Sequence, residues 1–292
     1  MMRGTTMITA GSMHAHLDFG DALPMLERLG RETVDVVFAD PPYFLSGGGS
    51  TCKGGKRVSV DKGRWDVPLG PEAEHAFACR WISAVAHAVK PSGSLWISGT
   101  SHSIRHVHRA AVDTLGWQLQ NEVVWVKPNP PPNLACRYLT HSHETILWLR
   151  KPGMRPGDIH FNYKAARRAN GSRQVRDVWS DILPPTAAEK LRAGAVKRGG
   201  KLIGSHPTQK PLALLERIML IALPRGGVVV DPFLGSGTTL EAAGLAGASR
   251  FYGADTTARW VKVAMARGQG LDDLLAERAA NEAPSRRRRR AA

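Results

Sequence analysis

Short apolar runs that stop at acidic residues recur along the chain and predict the buried strands of a parallel sheet. The clearest run extends from Val34 to Ala39, directly before an Asp-Pro-Pro-Tyr tetrapeptide at positions 40–43. Its apolar residues are mostly β-branched or aromatic, as in strands that are covered on both faces. Neither proline can donate to a sheet ladder, so the strand ends there in an extended turn. We therefore expect Asp40 to face the crevice beyond the carboxyl end of the strand, where open α/β sheets bind ligands.

The same pattern predicts further elements. Short apolar runs at Ser94–Ser98, Val228–Val230 and Phe251–Asp255 predict three more buried strands. Apolar residues at helical spacing predict a helix from Pro71 to Val89 and another after the turn that begins at His206. With 292 residues, the chain is long enough for one large α/β domain, or for such a domain with a sizeable insertion.

The N-terminal region carries weaker signals. Residues 1–13 predict a flexible segment, and His16 to Gly20 predicts a short strand. Asp21 stands where an N-cap belongs, ahead of an amphipathic stretch from Ala22 to Leu29. Because Asp21 also follows a strand end, a contact with a cofactor in the crevice is the second interpretation of this residue.

Charge adds a partner to this picture. The net charge is +15 with a pI near 10.3, which favours a polyanion as partner. Five consecutive arginines, Arg286 to Arg290, predict a disordered C-terminal tail, yet removing them from +15 still leaves +10. The glycine-rich, basic stretch from Ser46 to Arg57 is interpreted as a mobile flap that orders on a polyanion, or as a plain linker.

A long basic segment lies in the second half of the chain. From Arg150 to Lys201 it is rich in lysine and arginine, with Phe161, Tyr163 and Trp179 interleaved. Cationic side chains with occasional aromatic faces are typical of a nucleic-acid surface. A solvated basic insertion is the alternative.

Cysteine usage and hydropathy narrow the class. Cys52, Cys79 and Cys136 are far apart, and no His/Cys cluster has the spacing of metal ligands, so we expect no metal site. No run approaches the roughly eighteen apolar residues of a membrane span, and no signal peptide is apparent. We expect a soluble, cytoplasmic protein without a membrane partner.

A second strand end carries the other candidate chemistry. The stretch GVVVDPFLGSGTT at 227–239 predicts a buried strand that ends at Asp231 and a helix that opens near Thr238. Gly235 and Gly237 allow the backbone to approach a ligand closely. A helix N-terminus attracts a carboxylate and Asp231 attracts an ammonium group, so the stretch suits a nucleoside that bears an amino acid.

Two other glycine-rich sites are excluded by the spelling of this stretch. A phosphate-binding P-loop requires Gly-Lys-Ser/Thr, whereas this chain has Gly237-Thr238-Thr239. A dinucleotide fingerprint requires a third glycine, where Leu240 stands. About two dozen residues after the first acid, Asp255 ends another strand at the distance from which such folds bind ribose hydroxyls. A helix cap is the alternative role of Asp255.

The first strand end fits one demanding reaction. The lone pair of an exocyclic amino group is delocalised into the base, which makes the nitrogen a poor nucleophile. If Asp40 and a carbonyl of the prolyl turn each accept one N–H, the nitrogen becomes more tetrahedral and can attack a methyl donor. Tyr43 would offer a face for stacking, worth about 1–3 kcal/mol per base. A plain surface turn is the alternative.

Together these motifs resemble those of the DNA amino-methyltransferases, which transfer a methyl group from S-adenosylmethionine to an exocyclic base nitrogen. Residues 40–43 are similar to their catalytic motif, residues 231–239 to their cofactor loop, and residues 206–211 to the segment upstream of that loop. The order, with the catalytic motif first and the cofactor loop last, resembles the β class. The resemblance extends from Leu17 to Ala266.

The resemblance implies a Rossmann-like α/β fold, with a mostly parallel seven-stranded sheet, helices on both faces and a small basic target-recognition insertion. The implied division is a catalytic half at 14–149, the insertion at 150–205, a cofactor-binding half at 206–270 and a tail at 271–292. The implied catalytic residues are Asp40, Pro41, Pro42 and Tyr43, and the implied contacts of S-adenosylmethionine are Asp21, Asp40, Lys210, Asp231, Phe233, Gly235, Ser236, Gly237, Thr238 and Asp255.

We predict a DNA adenine-N6 methyltransferase that flips its target base out of the duplex. Direct transfer is expected, because no cysteine lies in the catalytic turn. Cytosine N4 is the alternative target, since an aspartate at position 40 is only a tendency of the adenine enzymes. A DNA-binding protein that kept the fold without activity is the third interpretation. Double-stranded DNA is the expected partner, and a homodimer and a cognate restriction endonuclease are further candidates.

Overall fold

A computed structural model describes residues 4–47, 50–53, 56–59, 63–130, 132–134, 136–198, 201–203 and 206–290. The strands are β1 (Gly4–Ala10), β2 (Met13–Phe19), β3 (Val34–Ala39), β4 (Ser50–Lys53), β5 (Lys56–Ser59), β6 (Val89–Gly99), β7 (Gln118–Val126), β8 (His143–Arg150), β9 (Val178–Trp179), β10 (Val196–Arg198), β11 (Lys201–Ile203), β12 (Val228–Asp231) and β13 (Arg250–Asp255). The α-helices are α1 (Leu23–Glu27), α2 (Pro71–Ala86), α3 (Ile104–His108), α4 (Tyr163–Ala169), α5 (Ala187–Arg192), α6 (Leu212–Ala222), α7 (Thr238–Leu245), α8 (Ala258–Gln269) and α9 (Leu271–Arg290).

One nine-stranded sheet forms the centre of the described structure, in the order β1-β2-β13-β12-β3-β6-β8-β7-β9. Strands β2, β13, β12, β3 and β6 are parallel, whereas β8 is antiparallel to both of its neighbours. The predicted fold class is confirmed, but the predicted number of seven strands is corrected to nine. The stretch from β2 to β7 contains seven strands, and β1 and β9 add one at each edge. Edge strands bury little apolar surface, so their sequence pattern is weak.

Both ends of the chain differ from the expectation. Gly4–Ala10, for which we predicted flexibility, pairs along its whole length with β2. Leu271–Arg290, predicted as a disordered tail, is helical. Leu271 anchors this helix because its side chain is buried against Gly244. Asp272 lies in the first turn, where a negative charge favours the helix.

Strand β3 is buried on both faces, as its composition predicted. Val36 and Phe38 pack into one core with α6, α7 and α8. Val37 and Ala39 pack into the other core with α1, α2 and α3. Burying a large apolar side chain contributes about 1.5–3 kcal/mol, so both cores hold the end of this strand in place.

Five parallel strands bring their carboxyl ends to the same edge of the sheet. Val230 pairs with Val37 and Asp231 pairs with Gly253, so β12 lies directly between β3 and β13. Ala254 pairs in turn with Asp18 of β2. The turns that follow these strands therefore meet at one place, and they contain the acidic residues that the sequence analysis selected.

The glycine-rich stretch at 46–57 is described only in part. Ser50–Lys53 and Lys56–Ser59 form an antiparallel hairpin. Positions 48–49 and 54–55 lie outside the described residues, and the mobile flap stays a prediction. No helix in the described ranges is long and apolar enough to cross a membrane.

Candidate active site

A cavity of about 240 Å³ opens at the carboxyl edge of the sheet. The turn at 40–43 lines one side, and Phe233 and Gly235 of the loop after β12 line the other. Asp21 and Asp255 also reach the cavity. The structure thus brings both predicted strand ends into one cleft. The other residues predicted to contact the cofactor are buried and do not line it: Lys210, Asp231, Ser236, Gly237 and Thr238.

The carboxylate of Asp40 is held by three side chains. Lys210 Nζ donates to its Oδ2 at 2.7 Å. Ser98 Oγ and the hydroxyl of Tyr43 donate to its Oδ1 at 2.6 Å and 2.7 Å. Ser98 is available because β6 lies parallel to β3 and ends beside it. Three donors, one of them charged, keep Asp40 in a single orientation at the edge of the cavity.

A second carboxylate, that of Glu144, completes a buried cluster of charges. Its Oε2 lies 3.3 Å from Lys210 Nζ, and its Oε1 pairs with Lys127. Burial raises the pKa of Glu144, but the charges of Lys210 and Lys127 outweigh this effect and lower the pKa overall. Burial likewise lowers the pKa of Lys210, and Asp40 and Glu144 outweigh it and raise the pKa overall. Each member of the pair therefore keeps the other charged.

Tyr43 belongs to this cluster as well as to the cavity. The residue is only 7% exposed, and its hydroxyl accepts a hydrogen bond from Lys210 Nζ at 3.0 Å. Burial raises its pKa well above the usual value, and the charges of Asp40 and Glu144 raise it further. The phenol therefore keeps its proton and donates it to Asp40. The predicted stacking of Tyr43 on a base stays a prediction.

The turn after Tyr43 is fixed by Asp66, for which the sequence analysis found no role. Its Oδ1 accepts the backbone N–H groups of Tyr43 and Phe44 at 3.0 Å and 2.8 Å. Its Oδ2 accepts the hydroxyl of Ser46 at 2.8 Å. Phe44 has a φ of +57°, which costs a non-glycine residue about 1–2 kcal/mol. Asp66 therefore holds the catalytic turn in a conformation that the chain would otherwise avoid.

Asp231 occupies a different environment. It is buried at the end of β12, and its Oδ1 accepts the N–H of Phe233 at 2.9 Å. Burial raises the pKa of Asp231 to about 7; Asp40 and Asp255 add to this effect, and hydrogen bonds from Thr239 and Phe233 oppose it. Asp231 is thus close to the balance between its neutral and ionised forms at neutral pH.

Asp255 holds the glycine-rich loop. Its Oδ2 accepts the N–H of Gly235 at 3.0 Å, and its Oδ1 accepts the N–H of Thr257 at 2.7 Å. Gly235 has a φ of +49°, and a Cβ there would lie 3.2 Å from His206 Nε2. Gly237 has a φ of +80°, and a Cβ there would lie 2.8 Å from a Cβ of α8. Both positions therefore require glycine.

Aromatic side chains cover the remaining walls. Phe77 and Trp81 of α2 lie with their ring centres 6.0 Å and 5.4 Å from that of Phe233. His206 packs edge-on against Trp260 at 4.5 Å. Burial lowers the pKa of His206 to about 4, so this imidazole is neutral at pH 7. It adds no positive charge to a cavity that is predicted to hold a cationic ligand.

Asp21 combines both of its interpretations. Its Oδ1 accepts the N–H of Leu23 at 2.9 Å at the start of α1. The N-cap position itself is Ala22, not Asp21 as predicted, because the helix begins one residue later. Asp21 also lines the cavity.

Sequence reasoning missed four residues of the site: Ser98, Lys127, Glu144 and Asp66. Ser98 carried a usable signal, since it ends a predicted parallel strand in the same way as Asp40. Glu144 carried none, because it begins an antiparallel strand, and strand direction is not evident from an apolar run.

A Rossmann-like sheet that presents an acidic prolyl turn and a glycine-rich acidic loop to one cavity defines the class of amino-methyltransferases. The profile of the N6/N4 DNA methylase family matches residues 34–266. The chain therefore belongs to this family. Membership confirms the predicted enzyme class, DNA methyltransferase, and the predicted methyl donor, S-adenosylmethionine.

Curated relatives agree with this assignment. The chain is 41% identical over 254 residues to "Type II methyltransferase M2.LlaDCHI" of Lactococcus lactis subsp. cremoris, covering 87% of this chain and 89% of the relative. It is 42% identical over 247 residues to "Type II methyltransferase M2.DpnII" of Streptococcus pneumoniae, covering 85% and 87%.

Solved structures show the same fold. The chain superimposes on the PvuII DNA methyltransferase (cytosine-N4-specific) with a TM-score of 0.66 at 17% identity, covering 89% of this chain and 91% of the other. It superimposes on a DNA modification methylase of Thermus thermophilus, in complex with S-adenosyl-L-methionine, with a TM-score of 0.57 at 24% identity, covering 87% and 93%.

Proposed function

We propose that this chain transfers the methyl group of S-adenosylmethionine to N6 of adenine in DNA, without a covalent intermediate on the enzyme. The observation that carries the proposal is the carboxylate of Asp40, which Lys210 and Ser98 hold at the rim of the cavity. The cofactor loop with Phe233 lines the opposite side.

Asp40 would act on the target amino group by accepting one of its N–H bonds, while a carbonyl of the adjacent prolyl turn accepts the other. S-adenosylmethionine supplies an electrophilic methyl group when bound. The positive charge then develops on the base nitrogen, beside the fixed carboxylate of Asp40, and it disappears when the nitrogen loses its extra proton. Preorganised charge of this kind is commonly the largest single contribution to catalysis.

We propose a different role for Lys210 from the cofactor contact that the resemblance implied. Its ammonium group bonds Asp40, Tyr43 and Glu144 and does not line the cavity. Lys210 would position Asp40 and keep it ionised.

The remaining cofactor contacts are proposed from the lining of the cavity. Phe233, with Trp81 beside it, would pack against the adenine of the cofactor. Asp255 would accept the ribose hydroxyls, because a carboxylate has about four acceptor sites and only two are used by backbone N–H groups. Asp231 would balance the ammonium group from behind the loop. The helix that follows Ser236, Gly237 and Thr238 would favour the carboxylate.

Adenine is favoured over cytosine by the aspartate at position 40, as in the sequence analysis. Cytosine N4 is the second candidate, because the family covers both bases and the PvuII enzyme of the same fold is described as cytosine-N4-specific. The discriminating experiment incubates the protein with unmethylated genomic DNA and tritiated S-adenosylmethionine, then separates the nucleosides. We expect label in N6-methyldeoxyadenosine. Label in N4-methyldeoxycytidine would identify the second candidate, and no label would indicate a DNA-binding protein without activity.

DNA would enter over the carboxyl edge of the sheet, and the segment 150–205 would contribute phosphate contacts. We also propose a homodimer and a cognate restriction endonuclease, since both curated relatives are named type II methyltransferases. Sedimentation with and without DNA tests the first suggestion. Protection of methylated DNA from endonucleases that cut the same sequence tests the second.

A further inference from the structure

A second cavity, of about 290 Å³, lies between α4 and the face of the sheet. Trp96, Trp148 and Trp179 line it from three strands, and Phe161 and Tyr163 line it from the segment that leads into α4. None of the described residues lines both this cavity and the first one. The second cavity is therefore separate from the proposed methyl-transfer site.

The aromatic lining divides into a buried floor and an exposed mouth. Trp96 and Trp148 are stacked, with ring centres 4.7 Å apart and planes 14° apart, and both are buried. Phe161 meets Trp148 edge-on at 5.5 Å and is 44% exposed, and Tyr163 is 39% exposed. Exposed aromatic rings beside a cavity offer faces on which a flat ring can stack.

The charge at the mouth is suited to an anion. Arg167 and Arg176 line the cavity and are exposed, and one carboxylate, Asp177, lines it as well. Arg167 Nε donates to the carbonyl of Ser172 at 2.7 Å, which leaves its other N–H groups for a ligand. A guanidinium group binds phosphate oxygens in a two-point geometry. The mouth of the cavity thus carries the groups that a phosphate requires.

Polar groups in the lining match the edge of a nucleobase. The amide side chains of Gln120, Asn121 and Gln174 line the cavity. The indole N–H of Trp148 is buried and has no hydrogen-bond partner in the described ranges. A buried donor without a partner costs about 1–3 kcal/mol, and an acceptor on a ligand would offset this cost.

We propose that this cavity binds a nucleotide, with its base among the aromatic rings and its phosphate at Arg167 and Arg176. A free mononucleotide and an unpaired nucleotide of a nucleic-acid strand share this chemistry. The inference goes beyond the proposed methyl transfer and does not depend on it.

The test measures binding to three variants, with excess S-adenosylhomocysteine present to occupy the first cavity. Phe161→Ala removes a stacking face, and Arg176→Gln removes a phosphate contact. Arg173→Gln is the matched control, because it makes the same charge change in the same segment at an exposed position that does not line the cavity. Calorimetry and tryptophan fluorescence follow titrations with adenosine monophosphate and with a short single-stranded oligonucleotide.

We expect Phe161→Ala to weaken binding about fivefold or more, since stacking contributes roughly 1–3 kcal/mol per base. Phe161→Tyr, which keeps an aromatic face, should restore binding. Loss of affinity for the oligonucleotide alone identifies a strand nucleotide, and loss for the mononucleotide alone identifies a free ligand. The proposal is overturned if wild-type protein binds neither, or if Phe161→Ala and Arg176→Gln match the control. Methyl transfer measured on the same preparations shows independently whether the proposed function holds.

Discussion

Asp40 and Asp231 end neighbouring parallel strands, and each is followed by a proline, yet the structure places them in opposite electrostatic environments. Asp40 has a lysine at 2.7 Å and two hydroxyl donors. Asp231 receives hydrogen bonds from Phe233 and Thr239, both neutral, and burial raises its pKa to about 7. The same local sequence therefore yields one carboxylate with a built-in counter-charge and one without it.

This difference corresponds to the two proposed roles. A carboxylate that must draw hydrogen bonds from a neutral amino group has to be charged before the substrate arrives, and Lys210 provides for this. A carboxylate that binds a cationic cofactor is more selective if no protein cation competes for it. The predictions below change one environment toward the other, in order of decreasing effect.

Asp40→Asn should have the largest effect. It keeps the size of the side chain but removes the charge, so we expect kcat to fall by about 10³-fold, near the upper end for the loss of one preorganised group. Cofactor affinity measured by calorimetry should be unchanged. Substantial turnover by this variant would show that Asp40 is not the catalytic acceptor.

Lys210→Met would give Asp40 an environment like that of Asp231. It leaves Asp40 and Glu144 with Lys127 as the remaining cation of the described cluster, and breaking a buried pair costs about 3–5 kcal/mol of stability. We expect kcat to fall by about 10²-fold, with cofactor affinity largely retained.

A double variant separates stability from catalysis. Lys210→Met combined with Glu144→Gln removes one uncompensated buried charge, so the midpoint of thermal unfolding should recover in part. The rate should stay low, because Asp40 still lacks its partner. Recovery of the rate as well would mean that Lys210 serves only the fold.

Asp231→Asn should weaken cofactor binding by about tenfold or more, as expected for loss of a charged partner worth roughly 1.5–3 kcal/mol. In the wild type, affinity should rise as the pH increases through about 7, because the carboxylate ionises and attracts the ammonium group. Calorimetry at several pH values should show a weaker dependence in the variant. An equal dependence in both proteins would remove Asp231 from the cofactor site.

The same variant should change the pH dependence of stability. Burial raises the pKa of Asp231 from 3.8 to about 7, so between these values the folded protein binds a proton that the unfolded chain does not. The free energy of unfolding therefore falls as the pH rises through this window. Without cofactor, thermal unfolding of the wild type should show this loss, and Asp231→Asn should reduce it.

Ser98→Ala should have the smallest effect. It removes one of the three donors to Asp40 while Lys210 stays in place, and we expect a loss of about tenfold or less in kcat. Ser94→Ala is the matched control, because Ser94 lies on the same strand and its hydroxyl accepts the indole N–H of Trp96 instead. Equal losses in both variants would assign the effect to packing.

The sequence was informative where the physical signal is local. The run before Asp40 and the run before Asp231 are apolar and end at turn residues, so their burial and their ends followed from composition. Gly4–Ala10 was missed because an edge strand alternates and exposes much of its surface. The helical C-terminal segment was missed because its charge pattern outweighed the anchoring effect of Leu271.

By itself, the sequence determined that two acidic strand ends exist, that each begins a ligand turn, and that the family is that of the DNA amino-methyltransferases. Only the tertiary structure decided which residues surround each acid. Lys210 lies 170 positions from Asp40 along the chain, and Glu144 reaches the cluster from an antiparallel strand. Charge state depends on burial and on such distant partners, so no pattern of neighbouring residues could separate the environments of the two aspartates.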